Sequence, residues 1–396
     1  MEFVAKVGPD GTASITYELE DVFGFDFVGE HRPNTLVQFY GPIGEHVSMG
    51  SVSVHICRML SEKIKQISIQ NYISAPWIDA DLEQYAGLNT NAPIGIFLGT
   101  PDTMPKFFYE HQFTVGGFVC ETDRIGTDWV DNCNRLDLVF VPSNWCKAAF
   151  RDSGVKVPII VVPHGVEDEY RPYVEVSRPS RFVFYNTFHA ASLCSRKSLE
   201  ELVRTFLRAF EGQDDVVLRL RTGDSPAMDE CKRKYDFGSL IEHDKLEQIP
   251  TEDFAKIYSE VHCTVHPSKG EGFGFIPFQS IACETPVIAL HQTGMADYLT
   301  ADNSIELKPK GRATGEMVGN SHGTYFGIDE DDLYEQLRYA YNNWPLECAK
   351  VQTAAPAFRE RHQWRNVLRE FSGLVENLTK ADSVVKRQKL LETYKD

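Results

Sequence analysis

Short apolar segments alternate with amphipathic segments along the first half of the chain. The segments with helical spacing of apolar residues are Ser51–Lys65 and Asn144–Asp152. Near-continuous apolar segments are typical of strands buried on both faces, so from Thr35 onward the pattern predicts a parallel sheet with helices on both sides. The apolar segments are Leu36–Tyr40, Pro93–Leu98, Phe118–Val119, Leu136–Val141 and Pro158–Val162.

A second alternating series begins at Arg181. Two series predict two doubly wound α/β domains, because a chain of 396 residues exceeds what one hydrophobic core usually supports. In such sheets, ligands bind beyond the carboxyl ends of the strands. The predicted strands are Arg181–Tyr185, Val216–Leu220, Cys263–His266 and Pro286–Leu290, and the predicted helices are Ser198–Phe210, Glu252–Tyr258 and Phe275–Cys283.

Turn-forming and charged segments mark the predicted boundaries. Phe3–Val7 and Ala13–Leu19 flank a Pro-Asp-Gly turn and predict a hairpin placed before the main fold. The proline-interrupted segment Pro163–Ser180 predicts a linker. The predicted ranges are residues 1–30 for the hairpin, 31–172 and 173–365 for two Rossmann-like domains, and 366–396 for a C-terminal helix that packs back on the first of them.

Composition narrows the classes of function. A net charge of −17 opposes tight electrostatic binding to nucleic acid or anionic lipid. There is no apolar segment long enough to span a membrane and no signal-peptide pattern, so we expect a cytoplasmic protein. Nine cysteines without a Cys-x-x-Cys pair are expected to be reduced and mostly buried. The histidines have no metal spacing and Asp79-Ala-Asp81 has no recognisable metal context, so no metal site is predicted.

A glycine-rich segment follows the predicted strand Cys263–His266. Gly270, Gly272 and Gly274 permit positive φ and close approach of the backbone. Main-chain N–H groups at the start of the next helix can therefore face a phosphate. Glycine-rich loops alone are weak evidence for such a site.

The specific feature is the whole string Glu271-Gly-Phe-Gly-Phe-Ile-Pro-Phe-Gln279, followed by Ala282-Cys-Glu-Thr-Pro-Val-Ile-Ala289. It resembles the retaining GT-B glycosyltransferases of the "group 1", glycogen-synthase-like (family 4) branch. Their pattern is Glu, seven residues, Glu, then Ala-Cys-Gly-Thr-Pro-Val-Ile. The resemblance extends from about Thr35 to the C-terminal helices and implies an α/β GT-B fold, in which two Rossmann-like doubly wound domains face a central cleft.

The resemblance also implies roles in the second domain. Glu271 would accept hydrogen bonds from hydroxyls of the donor sugar, and Gln279 would contact the ribose of the nucleotide. Arg196 and Lys197 would stabilise the charge that develops on the departing diphosphate. Ile249 lies in the stretch that resembles the base-binding segment. Further donor contacts are expected from the phosphate-facing loop residues Gly272, Phe273 and Gly274.

In the first domain the resemblance is weaker. A glycine loop is expected after the first strand, and Gly44 and Gly50 stand there, before the predicted helix. The histidine of the usual catalytic loop is not evident. At about its place stand Glu121 and Asp123, which are candidates to orient the acceptor hydroxyl or to accept its proton. The alternative for this pair is helix capping or a surface position.

Two positions depart from the family pattern. Gln279 replaces the second Glu, so a neutral amide would hold the ribose in place of a charge-assisted hydrogen bond. Glu284 replaces the Gly of Ala-Cys-Gly-Thr-Pro. Because that glycine usually marks a left-handed helix cap, Glu284 predicts either a different turn or strain.

The sequence therefore predicts a metal-independent, retaining glycosyltransferase that moves a sugar from a nucleotide-diphosphate sugar, of UDP type, to an acceptor hydroxyl. The nucleotide sugar is a co-substrate, and no prosthetic group is expected. Two alternatives stay open: a nucleotide-sugar epimerase of the same fold, and a catalytically weak nucleotide-sugar binding protein. The acceptor, whether glycan, protein, metabolite or modified DNA base, is open, as is the oligomeric state.

Overall fold

The computed structural model describes residues 6–7, 13–14, 32–44, 48–72, 80–104, 111–188, 194–245, 249–314 and 323–394. Strands β1 (Lys6–Val7) and β2 (Ala13–Ser14) pair antiparallel, as the predicted hairpin requires, whereas its turn and flanks lie outside the described residues. The described chain forms two compact units. The first contains the residues up to His164, those from Trp364 onward, and Gly323; the second contains the others.

The first unit is built on a six-stranded parallel sheet with the strand order β4-β3-β5-β6-β7-β8. Helix α4 shows why local sequence forms these elements. Ser143 caps its start by accepting a hydrogen bond from the N–H of Cys146, and left-handed Gly154 ends it. The elements are β3 (Val37–Gly41), α1 (Ser48–Lys63), β4 (Ile67–Asn71), α2 (Ala80–Glu83), β5 (Ile94–Leu98), β6 (Phe113–Gly117), α3 (Thr127–Cys133), β7 (Leu138–Val141), α4 (Asn144–Ser153) and β8 (Ile159–Val161).

The second unit contains another six-stranded parallel sheet, with the order β11-β10-β9-β12-β13-β14, and a separate two-stranded antiparallel pair, β15-β16. Its central strands are buried along their length. The elements are β9 (Phe182–Phe188), α5 (Leu199–Ala209), β10 (Val216–Thr222), α6 (Pro226–Lys234), β11 (Ile241–Lys245), α7 (Thr251–Glu260), β12 (Cys263–His266), α8 (Phe275–Ala282), β13 (Val287–Leu290), β14 (Ile305–Leu307), β15 (Pro309–Thr314), β16 (Thr324–Ile328), α9 (Glu330–Asn342) and α10 (Trp344–Arg361).

The chain ends with three helices that belong to the first unit: α11 (Trp364–Val367), α12 (Arg369–Lys380) and α13 (Val384–Leu390). Trp364 stacks on His55 of α1, with ring centroids 4.4 Å apart. Arg387 donates a hydrogen bond of 3.0 Å to Gln112 beside β6. Among the helices of the described ranges, none combines the length and apolarity needed to cross a bilayer.

The two sheets confirm the predicted α/β fold class, and most of the strands that were not predicted lie at sheet edges. Strand Cys263–His266 has the predicted bounds, and other central strands differ by a few residues. The strand predicted at Phe118–Val119 is wrong, since β6 ends at Gly117. Five strands were not predicted: β4, β11, β14, β15 and β16. The first three lie at sheet edges, where polar residues interrupt the apolar pattern that marks central strands.

The turn after α8 has the same type as the glycine turn of the family pattern. Glu284 is left-handed, with φ of +60°. The N–H of Glu284 donates to the carbonyl of Ile281, and the N–H of Thr285 donates to the carbonyl of Ser280. This pair of hydrogen bonds is a Schellman motif. Arg359 of α10 supports the turn by donating to Oε1 of Glu284 at 3.0 Å and to the carbonyl of Ala282 at 2.6 Å. The turn is therefore retained, with backbone strain.

Two variants separate the strain from the ion pair. Glu284→Ala and Glu284→Gly both remove the carboxylate that pairs with Arg359, but only glycine removes the steric penalty of the left-handed backbone. We expect Glu284→Gly to unfold with a free energy about 1 kcal/mol higher than Glu284→Ala. Urea denaturation of the two variants measures this difference, and an alanine variant as stable as the glycine variant would contradict it.

Candidate active site

The second sheet has a topological switch point between β9 and β12. Strands β10 and β11 lie on one side of it and β13 and β14 on the other, so a crevice opens at the carboxyl ends of the two central strands. The turn before α5 and the loop after β12 meet there. The N–H of Lys269 in the loop bonds to the carbonyl of Arg196 in the turn at 2.9 Å.

A buried ionic cluster occupies this meeting point. Oε1 of Glu271 lies 3.3 Å from Nη1 of Arg196 and 3.2 Å from Nε2 of His266, and it also accepts a hydrogen bond from Nζ of Lys197. The side chains of Arg196, Lys197 and Glu271 are between 8% and 11% exposed, and His266 is more buried still. The structure thus brings together three residues that the sequence singled out and one, His266, that it did not.

Opposing effects set the charges in the cluster. Burial by itself raises the pKa of Glu271, but the charges of Lys197 and Arg196 and the hydrogen bond from His266 lower it, and the net result is well below the usual range. Burial is also the main effect on His266 and lowers its pKa despite the nearby carboxylate. The imidazole is therefore neutral near pH 7, and its Nε2–H donates to Glu271.

The backbone around Glu271 is fixed by the segment after β13. The hydroxyl of Thr293 accepts a hydrogen bond of 3.2 Å from the N–H of Glu271. The N–H of Gly294 donates a hydrogen bond of 2.8 Å to the carbonyl of Glu271. Thr293 is left-handed, with φ of +59°. A Cβ at Gly294 would lie 2.1 Å from the carbonyl oxygen of Gly272, so only glycine fits there. These contacts hold the loop in one conformation.

The three loop glycines differ in function. Only Gly274 has positive φ, +90°, where it begins α8, and its carbonyl accepts from the Tyr298 hydroxyl at 2.5 Å. Gly272 provides the close approach described above. The ring of Phe273 packs against Phe278 at 4.9 Å and Tyr298 at 5.4 Å between centroids, so this side chain belongs to the core.

The turn that carries the two cations is strained. Arg196 and Lys197 immediately precede Ser198, which is left-handed with φ of +55° and begins α5 without a side-chain cap. Nη1 of Arg196 also donates to the carbonyl of Gly270 at 2.5 Å. Non-glycine residues in this conformation concentrate at functional sites because the surrounding contacts must offset their energy.

Gln279 lies on α8 and is 8% exposed. Its Oε1 accepts a hydrogen bond of 3.1 Å from the hydroxyl of Tyr258, on α7. The oxygen of the amide is thereby engaged, and Nε2 remains as a donor. Ile249, the predicted base-contacting residue, is half-buried two residues before α7 begins.

The remaining predicted residues belong to the first unit. Gly44 follows β3, one of the two strands between which the order of that sheet reverses. Gly50 was predicted to precede the helix, but it lies in the first turn of α1. A Cβ at Gly50 would be 2.1 Å from the carbonyl oxygen of Gly44. Glu121 and Asp123 are half-buried in the segment after β6. In the ranges that the structure describes, no three His, Cys, Asp or Glu side chains converge as a metal site requires.

Comparison with protein families gives one match. Residues 197–371 match the model of "Family 4 Glycosyltransferase in conflict systems", a segment that includes Lys197, Glu271 and Gln279. No curated protein sequence matches the chain significantly.

Solved structures resemble the whole fold. Sucrose-phosphate synthase from Thermosynechococcus elongatus is 14% identical over 88% of this chain and all of its own, with a TM-score of 0.62. HepE from Anabaena is 12% identical over 86% of this chain and 99% of its own, with a TM-score of 0.63. TarM from S. aureus is 14% identical over 74% of this chain, with a TM-score of 0.57. The chain spans 56% of the length of TarM.

These findings confirm the predicted resemblance to the GT-B glycosyltransferases of the group 1, family 4 branch. The two parallel six-stranded sheets are those of this fold. The buried cluster around Glu271 lies in the crevice of the sheet within the matched segment, with Arg196 one residue before it. The candidate active site therefore lies in the part of the chain that is similar to the family 4 glycosyltransferase model.

Glu271→Gln tests the cluster through stability. The variant leaves Lys197 and Arg196 buried beside a neutral amide, so the free energy of unfolding at pH 7 should fall by about 3 kcal/mol. Because folding lowers the pKa of Glu271, its ionised form stabilises the fold above the ordinary pKa of 4.5, and this contribution is lost as the pH falls below that value. The difference in the free energy of unfolding between the variant and wild type should therefore become smaller in acid.

Urea denaturation between pH 7 and pH values below 4.5 measures both effects. Glu201→Gln is the matched control, because Glu201 pairs with Lys269 at 2.6 Å in a more exposed position and should contribute less than about 1 kcal/mol. Equal losses in the two variants, or a difference that does not change with pH, would count against the assigned electrostatics.

Proposed function

We propose that the protein is a retaining glycosyltransferase that transfers a sugar from a UDP-type nucleotide sugar to an acceptor hydroxyl without a metal ion. The observation that carries the proposal is the buried cluster of Glu271, Lys197 and Arg196 in the crevice of the second sheet. The structure of HepE in complex with UDP-glucose supports the choice of donor, because HepE has a similar fold. A cytoplasmic location stays a prediction.

The cluster has the charge that a diphosphate requires. With His266 neutral, Lys197 and Arg196 carry two positive charges against the single negative charge of Glu271. Both cations lie in a buried site, where electrostatic interactions with an incoming diphosphate are strong. When the diphosphate binds, the two cations contact its oxygens and Glu271 turns to the hydroxyls of the donor sugar.

Retention follows when both bonds to the anomeric carbon are on one face of the sugar. The bond to the diphosphate oxygen breaks, the bond to the acceptor oxygen forms, and the acceptor proton passes to the departing diphosphate. Lys197 and Arg196 stabilise the charge on that group, so no metal is needed. Residues 173–365 bind the donor, with Gly272, Phe273 and Gly274 contributing through their backbone.

In residues 31–172, Gly44 and Gly50 provide backbone for a phosphate. Glu121 and Asp123 orient the acceptor hydroxyl or, as an alternative to the departing diphosphate, accept its proton. The close approach of Gly44 and Gly50 supports the first assignment. The half-buried positions of Glu121 and Asp123 support the second, because such carboxylates are both reachable and partly desolvated.

Gln279 reverses the direction of the ribose hydrogen bond relative to the family pattern. A glutamate at this position accepts from ribose hydroxyls. Here the hydroxyl of Tyr258 orients the amide through Oε1, and the amide nitrogen, which a glutamate lacks, donates to a ribose oxygen. The contact is neutral and weaker than a charge-assisted one.

The purified protein is incubated with UDP-glucose and other UDP-sugars in EDTA, with and without glycans, proteins, metabolites and DNA as acceptors. We expect UDP release and a mass increase of one acceptor class, with the anomeric configuration of the donor kept, as read by NMR. A changed donor sugar without any acceptor would identify an epimerase instead. Donor binding without turnover against any acceptor would identify a binding protein.

Lys197→Met tests the assignment of the leaving-group charge. Arg196 still balances Glu271 in this variant, so the fold should be kept, whereas kcat should fall by about 10²- to 10³-fold because one stabilising charge is lost. Lys269→Met is the matched control, since Lys269 lies in the same loop but pairs with Glu201. Equal rates in the two variants, measured as UDP release, would contradict the role of Lys197.

Gln279→Glu tests the ribose contact. A carboxylate can accept from both Tyr258 and a ribose hydroxyl, so UDP should bind about five- to tenfold more tightly. Inorganic diphosphate, which has no ribose, should not gain affinity. The affinities of UDP and of inorganic diphosphate for both proteins are measured by calorimetric titration. An equal change in affinity for the two ligands would contradict the contact between Gln279 and the ribose.

A further inference from the structure

Tyr298 follows the segment that fixes the backbone of Glu271, and it is 6% exposed. Its hydroxyl donates a hydrogen bond of 2.5 Å to the carbonyl of Gly274. Thr293 and Gly294, at the start of the same segment, hold the backbone of Glu271. One segment after β13 therefore holds both ends of the glycine-rich loop.

Packing fixes the position of the Tyr298 side chain. Its ring centroid lies 5.1 Å from that of Phe278 on α8 and 6.2 Å from that of Phe358 on α10. The carbonyl of Tyr298 accepts a hydrogen bond of 2.8 Å from the side-chain amide of Asn303. Burial, followed by the nearby charge of Glu271, raises the pKa of Tyr298 well above its usual range. The hydroxyl therefore stays protonated and lies in one place.

Gly274 needs an external contact to keep one conformation. Glycine populates positive and negative φ about equally, so its own backbone does not select the observed φ of +90°. A Cβ at Gly274 would lie 2.6 Å from Cγ of Met295 and 2.9 Å from the hydroxyl oxygen of Tyr298. This close approach excludes a side chain at Gly274. The hydrogen bond from Tyr298 then selects the orientation that a glycine alone does not.

The same hydrogen bond sets the direction of the next N–H group. The peptide between Gly274 and Phe275 is planar and trans, so its carbonyl and its N–H point in opposite directions. Because the Tyr298 hydroxyl holds the carbonyl, it also orients the N–H of Phe275, where α8 begins. This peptide belongs to the loop whose backbone we assign to the donor.

We propose that Tyr298 is a positioning residue for donor binding: its hydroxyl holds the peptide after Gly274 so that the backbone of the loop meets the diphosphate. Tyr298 acts through Gly274, which a phenylalanine would pack against but could not hold by a hydrogen bond. The inference rests on the proposed function, because it assigns a residue that orients part of the same donor site.

The test uses Tyr298→Phe, which removes only the hydroxyl. Affinities for UDP, inorganic diphosphate and uridine are measured by calorimetry. We expect UDP and diphosphate to bind about fivefold more weakly, because the loss of one hydrogen bond leaves the loop peptide free to turn. Uridine has no phosphate and should bind as it does to wild type. Replacing Tyr298 by para-aminophenylalanine, which keeps an N–H donor, should restore most of the affinity.

Tyr173→Phe is the matched control. Tyr173 is 3% exposed, and its hydroxyl donates a hydrogen bond of 3.0 Å to the carbonyl of Glu169. The variant therefore loses a buried hydrogen bond of the same kind, but outside the glycine-rich loop. We expect it to bind all three ligands as wild type does.

Any of several results would overturn the inference: unchanged affinities for UDP and diphosphate in Tyr298→Phe, an equal loss for uridine, or an equal loss in Tyr173→Phe. If Tyr298→Phe does not fold, NMR of wild type with isotope-labelled phenylalanine decides. The amide resonance of Phe275 should shift when inorganic diphosphate is added, and an unmoved resonance rejects the inference. Absence of both UDP and diphosphate binding by wild type would instead reject the proposed function.

Discussion

The buried carboxylate of Glu271 is the group on which the rest of the site depends. A buried charge must be paired, and here two cations and a neutral histidine converge on one oxygen. That pairing requires the turn before α5 and the loop after β12 to meet closely. In these segments Ser198 and Thr293 adopt left-handed conformations, each with a steric strain of about 1–2 kcal/mol. The ionic contacts and the loop hydrogen bonds offset that energy.

The sequence predicted the features that depend on local pattern. Alternating apolar segments predicted the central strands, and the family pattern singled out Glu271 and Lys197, which the structure brings together in one buried cluster. His266 and Tyr258 were not assigned to it, because the fold brings them to their partners there, Glu271 and Gln279. A histidine at a strand end carries no sign of the carboxylate that it will meet. The edge strands β4, β11 and β14 were missed because polar residues interrupt their apolar pattern.

The two departures from the family pattern each have a compensating partner. Gln279 is oriented by the hydroxyl of Tyr258, and Glu284 is held by Arg359. Neither departure disrupts the geometry around Glu271, so neither is by itself a sign of a degenerate site. They change how the same geometry is obtained. An amide held by Tyr258 stands in place of a carboxylate, and an ion pair accompanies a turn that glycine would form without strain.

The pair of Glu284 and Arg359 also has a consequence for how the chain is made. A glycine turn is complete as soon as its own residues leave the ribosome. Arg359 follows Glu284 by 75 residues, so during synthesis the strained turn after α8 exists without its support until α10 has emerged. The loop and helix that carry the candidate site therefore acquire their final stability late in translation, and among relatives positions 284 and 359 are expected to change together.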